Sequence, residues 1–371
     1  MSAAPRLGPA DRIASIDIVR GAVMVLMALD HVRVYSGLPP GGPTPGIFFT
    51  RWVTHFCAPA FFFLAGTGAY LRLQRRGDKR EMSRFLITRG LFLVFLELTV
   101  LRVAWTFNFD FQHYLLAGVI WALGWCMVLL AGIIWLPMPA IAVGALAIIA
   151  GHNLLPPAHE GISWLARILY YGGAVGNLAV LYVIVPWVAV MAAGYAFGTI
   201  VQRRNLCIAI GLGATVLFLI LRGIDGYGDP RPWHALPAQV PFVIRFLNTT
   251  KYPASLDYLL MTLGPTILIL PFVKGPRVLD TFGRVPLFFY VLHIPLIHAA
   301  ACVVSLIRTG AVDPWLFTNH PMWNPEPPPG YTWSLGLLYL VWVIVIAILL
   351  PICQWYARMK ATRRSPWLSY L

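Results

Sequence analysis

"SIDIVRGAVMVLMALDHVRVY", residues 15–35, is apolar enough to cross a membrane, yet it carries Asp17, Arg20, Asp30, His31 and Arg33. A charged side chain at the centre of a bilayer costs roughly 2.5–3.5 kcal/mol even on the lenient insertion scale. The segment therefore belongs where those groups meet protein or water instead of lipid. Asp17, Arg20, Met24, Met27 and His31 follow a 3-4-3-4 spacing, which aligns them in one stripe of a helix. Arg20 and His31 lie eleven residues apart, about 16 Å along the axis, so they share a face at different depths. Two readings of Asp17 and Arg20 stay open: an i,i+3 pair that fixes the helix among its neighbours, or the inner end of a functional stripe. Asp30 and His31 are adjacent, point about 100° apart and need separate partners.

The rest of the chain shares this apolar character. Of 371 residues, 59% are hydrophobic and 11% charged, with a mean hydropathy of +0.73. A soluble domain runs at about 45–50% apolar and 25% charged, so the composition indicates an integral membrane protein. No small-residue cleavage site follows the opening segment, which reads as a retained helix and not a signal peptide. Apolar stretches of spanning length, about 17–25 residues, recur ten times. They fall at 14–36, 48–71, 84–106, 114–136, 138–155, 177–200, 206–222, 254–273, 285–307 and 334–357. The expected fold is an all-α integral membrane protein, a bundle of about ten transmembrane helices. "ISWLARILYY", 162–171, is amphipathic and suits the interface.

Loops on the cytoplasmic side should carry the excess of Lys and Arg. With the N-terminus inside, the expected inner segments hold 17 of the 28 Lys and Arg, and the outer loops and their edges hold nine. Both termini are thus expected in the cytoplasm. The division is a cytoplasmic segment 1–12, a single transmembrane domain 13–358 and a cytoplasmic tail 359–371. The net charge of +14 is then an orientation signal that also attracts anionic lipid, with no folded domain to support nucleic-acid binding. Five cysteines, Cys57, Cys126, Cys207, Cys302 and Cys353, show no CxxC spacing and read as small core residues, not as a disulfide frame or zinc site. Glycine-rich nucleotide loops and a GxSxG elbow are absent, and no metal is expected. The outer loops "LPPGGPTPG" and "NPEPPPG" read as structured turns or lids.

This topology puts eight of the nine histidines, His31, His55, His152 and His298 among them, at or beyond the outer half, leaving His293 nearer the middle. Histidine is the side chain best suited to proton transfer near neutral pH. The long outer loop adds "FLNTTKYPASLDYLLMTLGP", 246–265, where Lys251, Tyr252 and Asp257 converge at a span end. Interfacial anchoring accounts for Lys251 and Tyr252, and less well for Asp257.

"SIDIVRGAVMVLMALDH", "FCAPAFFFLAGTGAYL", "FLNTTKYPASLDYLLMTLGP" and "FGRVPLFFYVLHIPLIH" together resemble the bacterial branch of the heparan-alpha-glucosaminide N-acetyltransferase-like family, over residues 12–360. The Arg20–His31 spacing is similar to the motif of the acyltransferase-3 family of polysaccharide O-acylating enzymes. The resemblance implies transfer of an acetyl or other acyl group from cytosolic acetyl-CoA, or another acyl-CoA, to a sugar or glycan at the outer face of a bacterial inner membrane. On that implication His31 is the general base or the acyl carrier, and Asp30 orients it. Asn248, Lys251, Tyr252 and Asp257, with His55 and His298, would bind the acceptor, while Arg20, Arg75 and Arg76 would hold coenzyme A. Two departures stand out. The loop Gly37–Thr50 lacks the histidine proposed for the lysosomal members, and Trp121-Ala122 stands where they carry Gln-Arg. The expected partners are membrane lipid and the glycan, with a homo-oligomer left open. A transporter or flippase for an amphiphilic or lipid-linked solute is the alternative, in which Asp17, Arg20, Asp30, Glu97, Arg102 and Asp257 form a path through the membrane.

Overall fold

The structure, a computed structural model, describes residues 13–39, 44–237, 239–323 and 326–362. The N-terminal segment 1–12, residues 363–371 of the tail and parts of both proline-rich loops lie outside the described residues. Helices of eight or more residues are numbered in chain order. They are α1 (Ala14–Tyr35), α2 (Pro45–Arg76), α3 (79–106), α4 (Val119–Ile133), α5 (Met138–Leu154) and α6 (Val185–Phe197). There follow α7 (Arg204–Ile224), α8 (Leu256–Ile269), α9 (Arg277–Arg284), α10 (Pro286–Thr309) and α11 (Leu335–Thr362), the last running four residues past the expected end of the domain.

Local chemistry sets most of these boundaries. Thr44 accepts from Ile47 N–H with Pro45 at the first position of α2, and Gly77 at φ 76° ends that helix. Asp78 then caps α3 through Arg80 N–H at 2.7 Å, and Ser255 caps α8 through Tyr258 N–H at 3.1 Å. α3 is a continuous helical run with a π-turn at Glu97–Leu101.

The expectation of about ten spans is corrected here. Among the described residues, four helices, α2, α7, α10 and α11, are long and apolar enough to cross a membrane. α4, α5, α6 and α8 have 15, 17, 13 and 14 residues. At 1.5 Å per residue the shortest three reach only about 20–22 Å against a hydrocarbon core of about 30 Å. Part of the missing length goes into strands. Leu115–Ala117 (β1), Gly173–Val175 (β2) and Leu178–Val180 (β3) form a small sheet in the order β1-β3-β2 within what is otherwise the expected all-α bundle. β1 runs parallel to β3 with Leu116 opposite Ala179. β2 and β3 form a hairpin around Gly176–Asn177, where φ is +60° at the glycine. α1 and α3 have the length, but α1 carries Asp17, Arg20, Asp30 and Arg33, and α3 carries Arg84, Arg89, Glu97 and Arg102.

Burial sorts the helices into an inner and an outer set. α7 and α11 bury only 22% of their most apolar windows and present Leu212, Leu219, Ile220, Val343, Ile344 and Ile348 outward, as a lipid-facing surface requires. α2 buries 67% of its window. α1 packs against α2, α9, α10 and α11, which surround it with protein as its charges demand. α2 and α6 meet through glycine: a Cβ on Gly66 would run into the carbonyl oxygen of Met191, and one on Gly194 into that of Phe63. Thr67 Oγ1 donates to Gly194 O at 2.9 Å across the same contact. In the short sheet, β1 packs against the π-turn of α3 and leads through Gly118 into α4, placing Leu116, Gly118 and Val119 on a cavity beside the last turn of α1.

Candidate active site

Two cavities open along α1. One, of about 580 Å³, lies at its C-terminal end and is lined by Asp30, His31, Arg51, Glu97, Trp105, Lys251 and Tyr252. The other, of about 700 Å³, lies at its N-terminal end. Its described lining holds seven cations, Arg20, Arg72, Arg75, Arg76, Arg89, Arg284 and Lys360, against the single carboxylate of Asp17. Phe61, Val119 and Tyr290 line both cavities and form the wall between them. Met24 faces the basic cavity and Met27, one turn on, the histidine cavity, so the stripe read from the spacing connects the two.

In the histidine cavity, Arg33 Nε donates to Asp30 Oδ1 at 2.9 Å, and Lys251 Nζ stands 4.0 Å from Oδ2. Lys251 is almost fully buried, its ammonium 5.3 Å from the centre of the Tyr252 ring. Asp30 is thus occupied by cations. His31 instead meets His293 of α10, Nδ1 to Nε2 at 2.6 Å, with the rings 22° from coplanar. Trp105 presents its edge to His31, ring centres 4.7 Å apart. The spacing of α1 gave no sign of His293, because the contact joins helices 262 residues apart.

Glu97 is a second residue that only the three-dimensional arrangement reveals as part of this cavity. Fully buried on the π-turn, its Oε2 accepts from Ile120 N–H at 2.9 Å and Trp121 N–H at 3.1 Å, where α4 begins. Its Oε1 and the indole N–H of Trp105 have no partner among the described residues, and both side chains line the cavity. An unclaimed acceptor and an unclaimed donor beside a histidine suit a ligand that carries hydroxyl or amino groups.

In the basic cavity, Arg20 donates to Leu64 O at 2.7 Å and lies 3.6 Å from Asp17. A Cβ on Gly68 would stand 2.9 Å from Arg20 Nη2, so this glycine makes room for the guanidinium. Arg75 and Arg76 line the same space, Arg76 paired with Glu81.

The remaining sequence-derived residues divide. Asn248 and His55 line a third space of about 480 Å³, which borders the histidine cavity through Arg51, Lys251 and Tyr252. His55 is buried with neither ring nitrogen partnered among the described residues. Asp257 lines none of the three spaces. It lies 3.9 Å from the buried guanidinium of Arg222, and a Cβ on Gly228, whose φ is +108°, would press on its carboxylate. That places Asp257 in the clamp of the loop before α8. His298 also lies outside the cavities, stacked on Phe107 at 3.7 Å and bonded to Ala104 O at 3.2 Å. Behind it, His320 lines the histidine cavity from the connection before α11. Burial, and secondarily the nearby His298, push its pKa down to about 3, which leaves it neutral.

Among the described residues no group of three or more His, Cys, Asp or Glu side chains is placed to hold a metal ion. The five cysteines are free thiols. No curated protein matches the chain. The family model described as heparan-alpha-glucosaminide N-acetyltransferase, catalytic, matches residues 12–224. That stretch contains Asp30, His31, Arg20 and the basic loop, while Lys251, His293 and His320 follow it. With more than half of its length matched, and with apolar helices long enough to span, the chain is an integral membrane protein with a general acyl-transfer function, and it belongs to the heparan-alpha-glucosaminide N-acetyltransferase catalytic family.

Proposed function

We propose that the protein takes an acyl group from acetyl-CoA, or a related acyl-CoA, and passes it through the membrane to a hydroxyl or amine of a sugar or glycan. The observation that carries this reading is the shared wall: a seven-cation cavity and a histidine cavity back onto the same Phe61, Val119 and Tyr290. Coenzyme A carries its phosphates at one end and its thioester at the other, and the two cavities differ in the same sense. Arg20, Arg72, Arg75 and Arg76 would pair with the phosphates, with the thioester at the wall. The acceptor would lie in the histidine cavity against Glu97, Trp105, Lys251 and Tyr252.

Acting as base, His31 takes the proton of the acceptor hydroxyl or amine as that atom attacks the thioester carbonyl carbon. The carbon–sulfur bond breaks, and the leaving thiolate takes the proton back from the imidazolium. Acting as acyl carrier, the same ring nitrogen would attack the carbonyl carbon and expel the thiolate, and the acceptor would then displace the imidazole from that carbon as its proton passes to the thiolate. Lys251, which lines the same cavity, would neutralise developing negative charge on the carbonyl oxygen. The excess of Lys and Arg at the N-terminal end of α1 favours a cytoplasmic position for the basic cavity. This fits the bacterial branch of the family and the inner membrane.

The test is release of the coenzyme A thiol by purified protein in nanodiscs, with acetyl-CoA and a panel of amino sugars and glycans. We expect release that depends on the acceptor. A folded sample that releases no thiol, and instead exchanges an amphiphilic solute across a vesicle, would favour the transporter.

A further inference from the structure

His293 is fully buried and lines neither cavity, so it touches nothing that enters them. Its Nδ1 lies 2.7 Å from Tyr290 O and 3.2 Å from Phe289 O. A carbonyl oxygen only accepts, so the proton of that ring resides on Nδ1, and in the neutral ring Nε2 is a bare lone pair. Nε2 is the atom 2.6 Å from His31 Nδ1. Two lone pairs do not bond, so His31 must carry its own proton on Nδ1 and donate it. Nε2 of His31 is then unprotonated. It has no partner among the described residues, and the partly buried ring lines the cavity that also holds Glu97 and Lys251.

We infer that His293 is a positioning residue that fixes the tautomer of His31, so that Nε2 is the atom that takes the proton or the acyl group. The inference rests on the acyl-transfer reading for its consequence, though not for its geometry. It assigns to a neutral imidazole the part that a carboxylate plays for the histidine of a serine protease triad. Asp30 is unsuited to that part, because it projects from the neighbouring position on α1 and is engaged by Arg33 and Lys251. When Nε2 accepts a proton, the His31 Nδ1–H donates more strongly to His293, whose own Nδ1–H is anchored on two carbonyls. The chain stabilises the imidazolium with no second charge buried beside Lys251. Tyr290, whose carbonyl ends the chain, is also part of the wall between the cavities, so the tautomer and the wall are set by one turn of α10.

The test is nitrogen-15 NMR on full-length protein labelled at histidine, with the His31 signals assigned from His31→Gln. We expect a protonated Nδ1 and an unprotonated Nε2 at His31 in the wild type, and a shift toward the Nε2–H form in His293→Leu. In the thiol-release assay, His293→Leu should lower kcat by roughly 10²–10⁴-fold with the KM for acetyl-CoA unchanged. His293→Gln, whose side-chain carbonyl can accept from His31, should recover most of that loss. A proton on Nε2 in the wild type overturns the inference, as does a folded His293→Leu with wild-type kcat. If the leucine variant fails to fold, the wild-type spectrum and the glutamine variant still decide. A wild type with the expected tautomer and no thiol release overturns the acyl-transfer reading and leaves the tautomer standing.

Discussion

His31→Ala is expected to abolish acyl transfer in protein that still folds. His31 is the titratable group of α1 with an open nitrogen in the histidine cavity, and general acid–base help is worth about 10²–10⁴-fold in rate. Should the ring also carry the acyl group, the loss is the whole covalent route and exceeds that range. The substitution removes a partly buried ring and leaves His293 Nε2 without its donor, a penalty of about 1–3 kcal/mol. Retention on size exclusion and a thermal midpoint lowered by only a few degrees should separate that penalty from the loss of chemistry. Thiol release persisting at the wild-type rate would remove His31 from the reaction.

Arg72→Gln combined with Arg75→Gln should raise the KM for acetyl-CoA by about 10–100-fold, with little change in kcat or in the acceptor KM. Each charge-assisted hydrogen bond to a phosphate contributes about 1.5–3 kcal/mol, and every 1.4 kcal/mol is tenfold. Screening by solvent and ions in the open cavity brings the two contacts together below their full sum, to about 1.4–2.8 kcal/mol. Added salt should weaken the wild type more than the double variant. Arg72 also lies over the Phe85 ring at 3.7 Å, so the glutamine preserves length while removing charge and stacking. If the KM for the acceptor moves and that for the coenzyme does not, the two cavities have been assigned the wrong way round.

What the sequence made legible follows the range of the interactions involved. The stripe Asp17, Arg20, Met24, Met27 and His31 is a periodicity within one helix, and it recurs as the line that joins the two cavities. The convergence of Lys251 and Tyr252 beside Asp30 was readable only as residues at a similar depth. The 4.0 Å approach depends on how the loop before α8 returns. Asp257 looked exposed to function because its partner Arg222 lies 35 residues earlier, at the end of what reads as an ordinary span. Glu97 and His293 stood out only as polar groups within apolar spans, with nothing to assign either to the cavity beside His31. Each acquires its place through a neighbour on another helix, or through a π-turn that no pattern in residues 97–101 announces.

The span count failed for a related reason. Hydropathy measures whether a segment avoids water, and a helix buried among other helices avoids water as well as one in lipid does. α6 is apolar because it is surrounded, with Trp187, Val190, Met191 and Tyr195 all buried, and it is 13 residues long. The apolar residues 178–180 that extended it on paper form a strand. α7 and α11 keep their outward apolar faces over 21 and 28 residues, which is the pattern a bilayer selects.

The central claim is that the acyl group passes from the basic cavity to the histidine cavity, from one side of the membrane to the other. Sealed proteoliposomes supplied with radiolabelled acetyl-CoA outside and a glycan acceptor trapped inside test it most directly. The account predicts labelled acceptor in the lumen, free coenzyme A thiol outside, and neither with His31→Ala. Product that forms only when donor and acceptor share a compartment would contradict it.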